Sequence, residues 1–214
     1  DATMSRTRTV LLEFDPDLNK LRKDKKLSDG LSAVVQIGDA LWVANDETLS
    51  LERLTRQYRT GNGEIRFGDH RQFALHDYLR LPVPPSERAE ENGKIEEADI
   101  EGLDFQDGYL WLVGSHSLKR GNPKEEDSIK KNTKRLKKTR RDGNRFLLAR
   151  IPLEKATQSL KKTVEQDGNS RTAARLCGDP DGNALTEALA TDEHLGSFLT
   201  IPGKDNGFDI EGLA

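Results

Sequence analysis

Hydrophobic positions in this chain fall into short β-type runs separated by turn residues, not into long helical stripes. Thr9 to Phe14 is a short apolar run ended by Asp15-Pro16, and Leu18 to Asp29 reads as a Lys-rich surface loop. Leu31 to Ala44 then places two β-prone runs on either side of Gly38-Asp39, with a polar tip, Asn45-Asp46-Glu47-Thr48. Further strands are predicted over Leu49 to Tyr58 and Glu64 to Leu75. Pro82, Pro84 and Pro85 make Tyr78 to Glu87 a rigid connector, and the acidic stretch Ser86 to Ala98 is a loop.

The pattern then starts again. Asp99 to Ser117, DIEGLDFQDGYLWLVGSHS, has the same layout: an acidic opening, a turn at Asp107-Gly108, an apolar run Tyr109 to Val113 and a polar tip. Superposing Leu41-Trp42-Val43 on Leu110-Trp111-Leu112 puts Ser32 opposite Glu101, so the chain repeats at an offset of 69 residues. The acidic opening returns again as FDIEGLA, Phe208 to Ala214. Arg145 to Leu153 is the expected partner of Tyr109 to Val113, whose apolar residues of both parities predict burial on both faces. Two amphipathic helices are predicted, one through Leu153, Ala156, Leu160 and Val164, the other from Asn183 to Leu195 behind an Asn183 cap. Phe198 to Pro202 reads as another short strand.

Units of about four strands predict a mainly β protein, a β-propeller with helical and basic insertions. Closed propellers have about four to eight blades. The whole chain, 1–214, supplies two plus the start of a third, so the remaining blades are expected beyond residue 214 or from another chain.

Charge adds a second level of organisation. The net charge of -3 conceals a segment, Lys119 to Arg145, with 12 Lys or Arg against 4 Asp or Glu, leaving a strongly acidic remainder. Residues 118–144 are therefore read as a basic insertion within a blade, a flexible or weakly helical arm. Without aromatic residues or a base-reading motif in Ser128 to Arg141, nucleic acid is an unfavoured partner, and a solvated or docking arm is expected. No apolar run approaches bilayer-spanning length, so no membrane partner is expected. The one cysteine excludes an internal disulfide, and four scattered His residues give zinc no support. No signal peptide is visible in this numbering, and the compartment stays open with the cytoplasm favoured.

Candidate chemistry gathers on the repeated phrase. Asp99 and Glu101 share one strand face, as do Asp209 and Glu211. If each pair opens the innermost strand of a blade, four carboxylates converge on a channel mouth, where Ca²⁺ is the natural occupant. The alternative use of Glu101 and Glu211 is to bond backbone amides of adjacent blades and staple the ring. The unrepeated tip, GSHSLKR, offers His116 as general acid or base, with Lys119 and Arg120 to grip an anionic small molecule; Glu101 completes the catalytic set. A hydrogen-bonded structural role is the alternative for His116. Together these predict a divalent-cation-dependent hydrolase of phosphate or other esters, or else a non-enzymatic propeller scaffold that holds a ligand or protein.

LWVANDET, DIEGL with YLWLVGSHSLKR, NRFLLARIPL and IPGKDNGFDIEGLA resemble the bacterial family filed as domain of unknown function thirty-six-sixteen, over nearly the whole chain. The EGLA phrase is more remotely similar to the phytase-like esterase group of β-propellers. The resemblance implies further blades after Ala214 and brings no activity with it.

Overall fold

The computed structural model of the chain describes residues 9–22, 24–58, 64–85, 97–166 and 168–214. Among these residues the protein is mainly β, with two short α-helices. β1 (Val10–Leu12) is followed by a ribbon of β2 (Lys20–Arg22) and β3 (Lys25–Lys26), and then by β4 (Leu31–Ile37), β5 (Ala40–Asn45), β6 (Ser50–Gln57) and β7 (Ile65–Ala74). The last four form an antiparallel meander, and β1 adds in parallel beside β7.

The second sheet begins with β8 (Ile100–Gln106) and β9 (Tyr109–Gly114). The basic insertion follows as β10 (Lys119–Arg120), α1 (Ile129–Leu136) and β11 (Thr139–Arg140), with β10 and β11 paired. The chain then returns as β12 (Leu148–Glu154), antiparallel to β9, as the apolar run from Arg145 predicts. β13 (Ser159–Leu160) and β16 (Ala174–Arg175) both pair with β12, and between them β14 (Thr163–Gln166) and β15 (Asn169–Thr172) make a ribbon. A tight ribbon of β17 (Gly178–Asp179) and β18 (Gly182–Asn183) leads into α2 (Ala184–Ala190).

The 69-residue repeat holds at the level of hydrogen-bond register. β4 pairs with β5 as Leu31↔Asn45, Ala33↔Ala44 and Ile37↔Ala40. β8 pairs with β9 as Ile100↔Gly114, Gly102↔Val113 and Gln106↔Tyr109, each partner displaced by the same offset. Both first strands carry one extra residue, Ser32 in β4 and Glu101 in β8, where the register shifts by one as in a β-bulge. Both turns also open with a positive φ, Gly38 at +60° and Asp107 at +53°, as two-residue hairpins require. The two hairpins lie side by side, β4 against β8, and the Ser32 hydroxyl donates to the Ile100 carbonyl at 2.5 Å.

One core joins the sheets. Ile37, Trp42, Ala44 and Leu51 of the first pack with Ile100, Leu103, Leu110, Leu112 and Ile151 of the second. Leu110 and Leu112 on one face are fully buried, but Tyr109 and Trp111 on the other are only half-buried under the Arg150 guanidinium, so the expected burial on both faces is met only at Val113 near the strand end.

Several local expectations change. Leu153, Ala156, Leu160 and Val164 do not form a helix: Leu153 lies in β12, Leu160 in β13 and Val164 in β14. Their near-helical spacing is a coincidence of three short strands, and Pro152 already holds its neighbourhood extended. Phe198 to Pro202 is not a strand, because Gly196–Thr200 is a 3-10 helix. The Lys-rich segment from Leu18 is more ordered than a surface loop; the β2–β3 ribbon turns Leu27 into the interior at 1% exposure. The second predicted helix is present as α2, and the Asn183 side chain caps it by accepting from Leu185 N and Thr186 N. Of the acidic loop predicted at 86–98, only Glu97 and Ala98 lie among the described residues.

Candidate functional site

The two copies of the acidic phrase meet. After a left-handed turn at Asn206, residues 207–214 carry no regular secondary structure and pass beside β8, tied by Ile210 N to Ser115 O at 2.9 Å. The approach is close enough that a Cβ on Gly102 would lie 2.5 Å from Leu213 N and 2.7 Å from Leu213 Cβ. Only glycine at position 102 leaves room for this contact, whereas a Cβ on Gly212 of the second copy would meet nothing within 4 Å. Upstream, Gly203 N bonds Leu118 O at 3.1 Å and Leu118 bridges Pro202 in parallel, so the loop from Pro202 lies against the chain just past the GSHS tip.

Asp99, Glu101, Asp209 and Glu211 consequently share one electrostatic neighbourhood, joined by Asp46 from the first polar tip. Burial pushes the Glu101 carboxyl up to about 7, reinforced by the negative charges of Asp99, Glu211, Asp209 and Asp46. Asp209 is pushed up to about 6 by burial, then by Glu211 and Asp99, with Arg145 and Ser117 opposing. Asp99 is also raised, burial outweighing the opposing Arg145 charge. Asp99 sits at φ +49°, a left-handed conformation that aspartate tolerates better than most residues. Asp46 Oδ1 is buried without a hydrogen-bond partner. Among the described residues, no group of three or more His, Cys, Asp or Glu side chains is arranged to hold a metal ion.

Arg145, preceding β12, is the positive counterpart of this cluster. Its guanidinium lies 2.8 Å from Asp99 Oδ2 and 3.1 Å from Glu97 Oε1, and Nη1 donates to Ser117 Oγ at 2.6 Å. Arg145 is 8% exposed, so these charged hydrogen bonds operate with little solvent competition. The sequence offers the Asn45-Asp46-Glu47 tip as a channel-mouth loop but does not single out Arg145, whose only signal is its position at the start of the returning strand.

The other members of the GSHSLKR tip are engaged. Lys119 pairs with Glu97 and, at 2.9 Å, with Asp142. Arg120 bonds Asp205 at 2.5 Å and the Leu136 carbonyl. Both tie the basic insertion to the body. His116 is 2% exposed at φ +54°; Nδ1 donates to the Gly114 carbonyl at 2.8 Å, and Nε2 accepts from Asn183 Nδ2 at 2.8 Å. Phe146 meets its ring edge to face. Burial depresses the His116 pKa, partly opposed by the bond to Gly114, so the neutral tautomer that satisfies both partners is favoured. The arrangement thus brings Asp99, Glu101, Asp209 and Glu211 together and commits His116, Lys119 and Arg120 to internal contacts.

A second polar constellation lies inside the first sheet. Glu52 and His70 have side chains at 0% exposure, with Nε2 2.8 Å from Oε2. His70 Nδ1 accepts from Asp15 N at 3.3 Å, which leaves Nε2 as the donor to Glu52; Ser50 and Gln72 also donate to that carboxylate. The sequence marks this pair weakly, since Glu52 sits beside Arg53 between Leu51 and Leu54 and reads as an ordinary polar position of a strand.

Residues 30–214 match the model of a family described as Protein of unknown function (DUF3616). No curated protein and no solved structure matches the chain.

Proposed function

The chain belongs to this family of unknown function, and from its geometry we propose that it is a portion of a β-propeller whose acidic channel mouth binds a divalent cation. Two hairpins of identical register standing β4 against β8, with a third copy of the opening phrase alongside, support a ring of blades presenting first strands to a common axis. One observation carries the cation reading: Glu101 is raised to about 7 by burial beside Asp99, Glu211 and Asp209. Packed carboxylates of this kind are relieved either by protons or by a cation. Ca²⁺ suits them best, because it accepts about 6–8 hard oxygen ligands in flexible geometry. Asp99, Glu101, Asp209 and Glu211 are the residues that would hold it, after closing up from their present spacing, in which they are not arranged as a metal site.

A bound cation would polarise a phosphate or carboxyl ester oxygen, and Glu101 would then serve it as an ionised ligand, because the cation offsets the carboxylate repulsion that helps raise its pKa. That is the hydrolytic form of the proposal. The scaffold form, a ligand held without turnover, is favoured by the internal engagement of His116, Lys119 and Arg120, which leaves no cationic side chain of this tip to grip an anionic substrate.

Calorimetric titration of the full-length protein with CaCl₂ at pH 8 tests the cation reading. Saturable binding that Glu101→Gln weakens at least tenfold supports it; no binding at millimolar Ca²⁺ overturns it. Turnover of generic phosphoesters and carboxyl esters by the Ca²⁺-loaded protein, lost in the same variant, selects the hydrolytic form. Binding with no turnover selects the scaffold.

A further inference from the structure

The basic insertion is an ordered helix, not a loose arm, and it faces the wrong way for a helix serving its own core. Ser128 caps α1, and the side turned inward is polar. Asn132 clasps Lys124 N at 2.9 Å, Lys124 O at 2.8 Å and Asp127 O at 3.2 Å, while Arg135 Nε bonds Asp127 at 2.7 Å. The apolar residues point out: Ile129 is 88% exposed and Leu136 42% exposed. With Thr133 between them they make a stripe at i, i+4 and i+7, and Lys130, Lys134 and Lys137 each follow one member of it. Those three lysines, Lys138 and Arg140 are exposed and have no ion-pair partner among the described residues. The insertion is anchored at both ends, by Arg120 to Asp205 and by Arg141 to Asp181 at 3.3 Å.

We propose that the outward face of α1, with Lys138 and Arg140 beside it, is a docking surface for an anionic lipid membrane. Five unpaired cations on one anchored element supply the electrostatic attraction to lipid phosphates. The Ile129–Thr133–Leu136 stripe supplies the shallow apolar insertion that an interfacial helix adds to it. A nucleic acid would use the cations but would leave Ile129 and Leu136 without a role, and α1 has no aromatic residue on which a base could stack. The absence of a spanning run, which removes a transmembrane partner, does not bear on a helix lying in the interface. The acidic remainder of the chain is repelled by the same surface, which confines contact to this face and fixes the orientation of the docked protein.

Co-sedimentation of the full chain with phosphatidylglycerol-rich vesicles and with pure phosphatidylcholine vesicles tests the proposal. Binding to the first, weakening as salt rises, and none to the second is the expected result. Lys130→Glu/Lys134→Glu/Lys137→Glu should lower affinity at least about 100-fold. Ile129→Ser, which changes no charge at an exposed position, should lower it about tenfold with an unchanged melting temperature. No binding to anionic vesicles at low salt, an Ile129→Ser variant that binds as well as the parent, or binding of a mixed-sequence DNA duplex as tightly as vesicles would each overturn it.

Discussion

Ser32 and Glu101 occupy one position of two copies of the same hairpin, each the extra residue where its first strand slips register against its second. A bulge re-aims the side chain it carries. In the first copy that residue is a short donor, spent on the Ile100 carbonyl of the neighbouring sheet at 2.5 Å. In the second it is a carboxylate placed among Asp99, Asp209 and Glu211. Ser32→Ala should therefore act as a joint mutation, costing about 1 kcal/mol for the lost hydrogen bond. The expected readout is a melting temperature about 2–4 °C lower, with cation binding unchanged.

The raised carboxyls make stability fall as pH rises. The folded state holds protons on Glu101 and Asp209 that the unfolded chain releases near pH 4.5 and 3.8, and it releases its own only near 7 and 6. Across that window the native state binds more protons, so the stabilisation is full at the acid side and is lost as pH climbs through about 7. Urea denaturation between pH 4.5 and 8 should show this slope. Glu101→Gln should flatten it and raise the melting temperature at pH 8 by about 2–4 °C, a shift of the size that on the order of 1 kcal/mol produces after solvent screening of a partly exposed group. A variant as pH-dependent as the parent would show that these carboxylates are not coupled.

His116→Ala should unfold the tip, not merely silence it. The substitution removes the donor to Gly114 O and the acceptor for Asn183 Nδ2, and Asn183 is also the cap of α2. Leaving buried polar groups unpaired costs about 1–3 kcal/mol each, and a cavity beside Phe146 adds to that. The measurement is the denaturation midpoint, with Asn183→Ala expected to lower it through the same contact. Retention of parent stability by His116→Ala would restore this residue as a candidate for chemistry.

Gly102→Ala tests whether the second acidic phrase is held where it lies. The new methyl would meet Leu213 N at 2.5 Å, a backbone atom that cannot swing aside as a flexible side chain would. Overpacking of this sort costs about 1–3 kcal/mol, and it is concentrated on residues 208–214. Faster hydrogen exchange at Ile210, whose amide bonds Ser115 O, is the expected signature. It should be accompanied by a Glu101 pKa moving back toward its ordinary value as Asp209 and Glu211 recede.

The repeat was legible because register is written locally: turn residues at Gly38-Asp39 and Asp107-Gly108 and matching Leu-Trp runs fix pairing without reference to the rest of the chain. Asp99, Glu101, Asp209 and Glu211 do share one neighbourhood, but not through the common strand face that the repeat predicts: Asp99 lies before β8 at φ +49°, Glu101 is the bulge residue, and residues 207–214 form no strand. The fate of the tip was not legible. Whether His116 faces a site or a neighbour depends on Asn183, 67 residues away, and whether Lys119 is available depends on Glu97 and Asp142. Partners so distant in sequence leave no local pattern. The misread helix through Leu153 and Leu160 has a related cause, since three two- to seven-residue strands can imitate a 3.6-residue period by chance.

Glu52 and His70 show the same limit in the interior of the first sheet. Glu52 lies opposite Gln72 in the β6–β7 ladder, and His70 lies two residues further along on the same face, so the sheet itself aligns the carboxylate with the imidazole. With both side chains at 0% exposure, the carboxylate is supported by three donors, from His70, Ser50 and Gln72. His70 in turn receives Asp15 N, which pins the loop after β1 to the sheet. His70→Ala removes the central donor and the acceptor for Asp15 together, leaving a buried carboxylate short of partners. Breaking a buried pair in this one-sided way costs about 3–5 kcal/mol. Glu52→Gln keeps the shape and removes the charge, and should be tolerated far better. If instead the two variants lower the urea midpoint equally, the charge of Glu52 is what holds the site, and the hydrogen-bonded packing assigned to this pair is wrong.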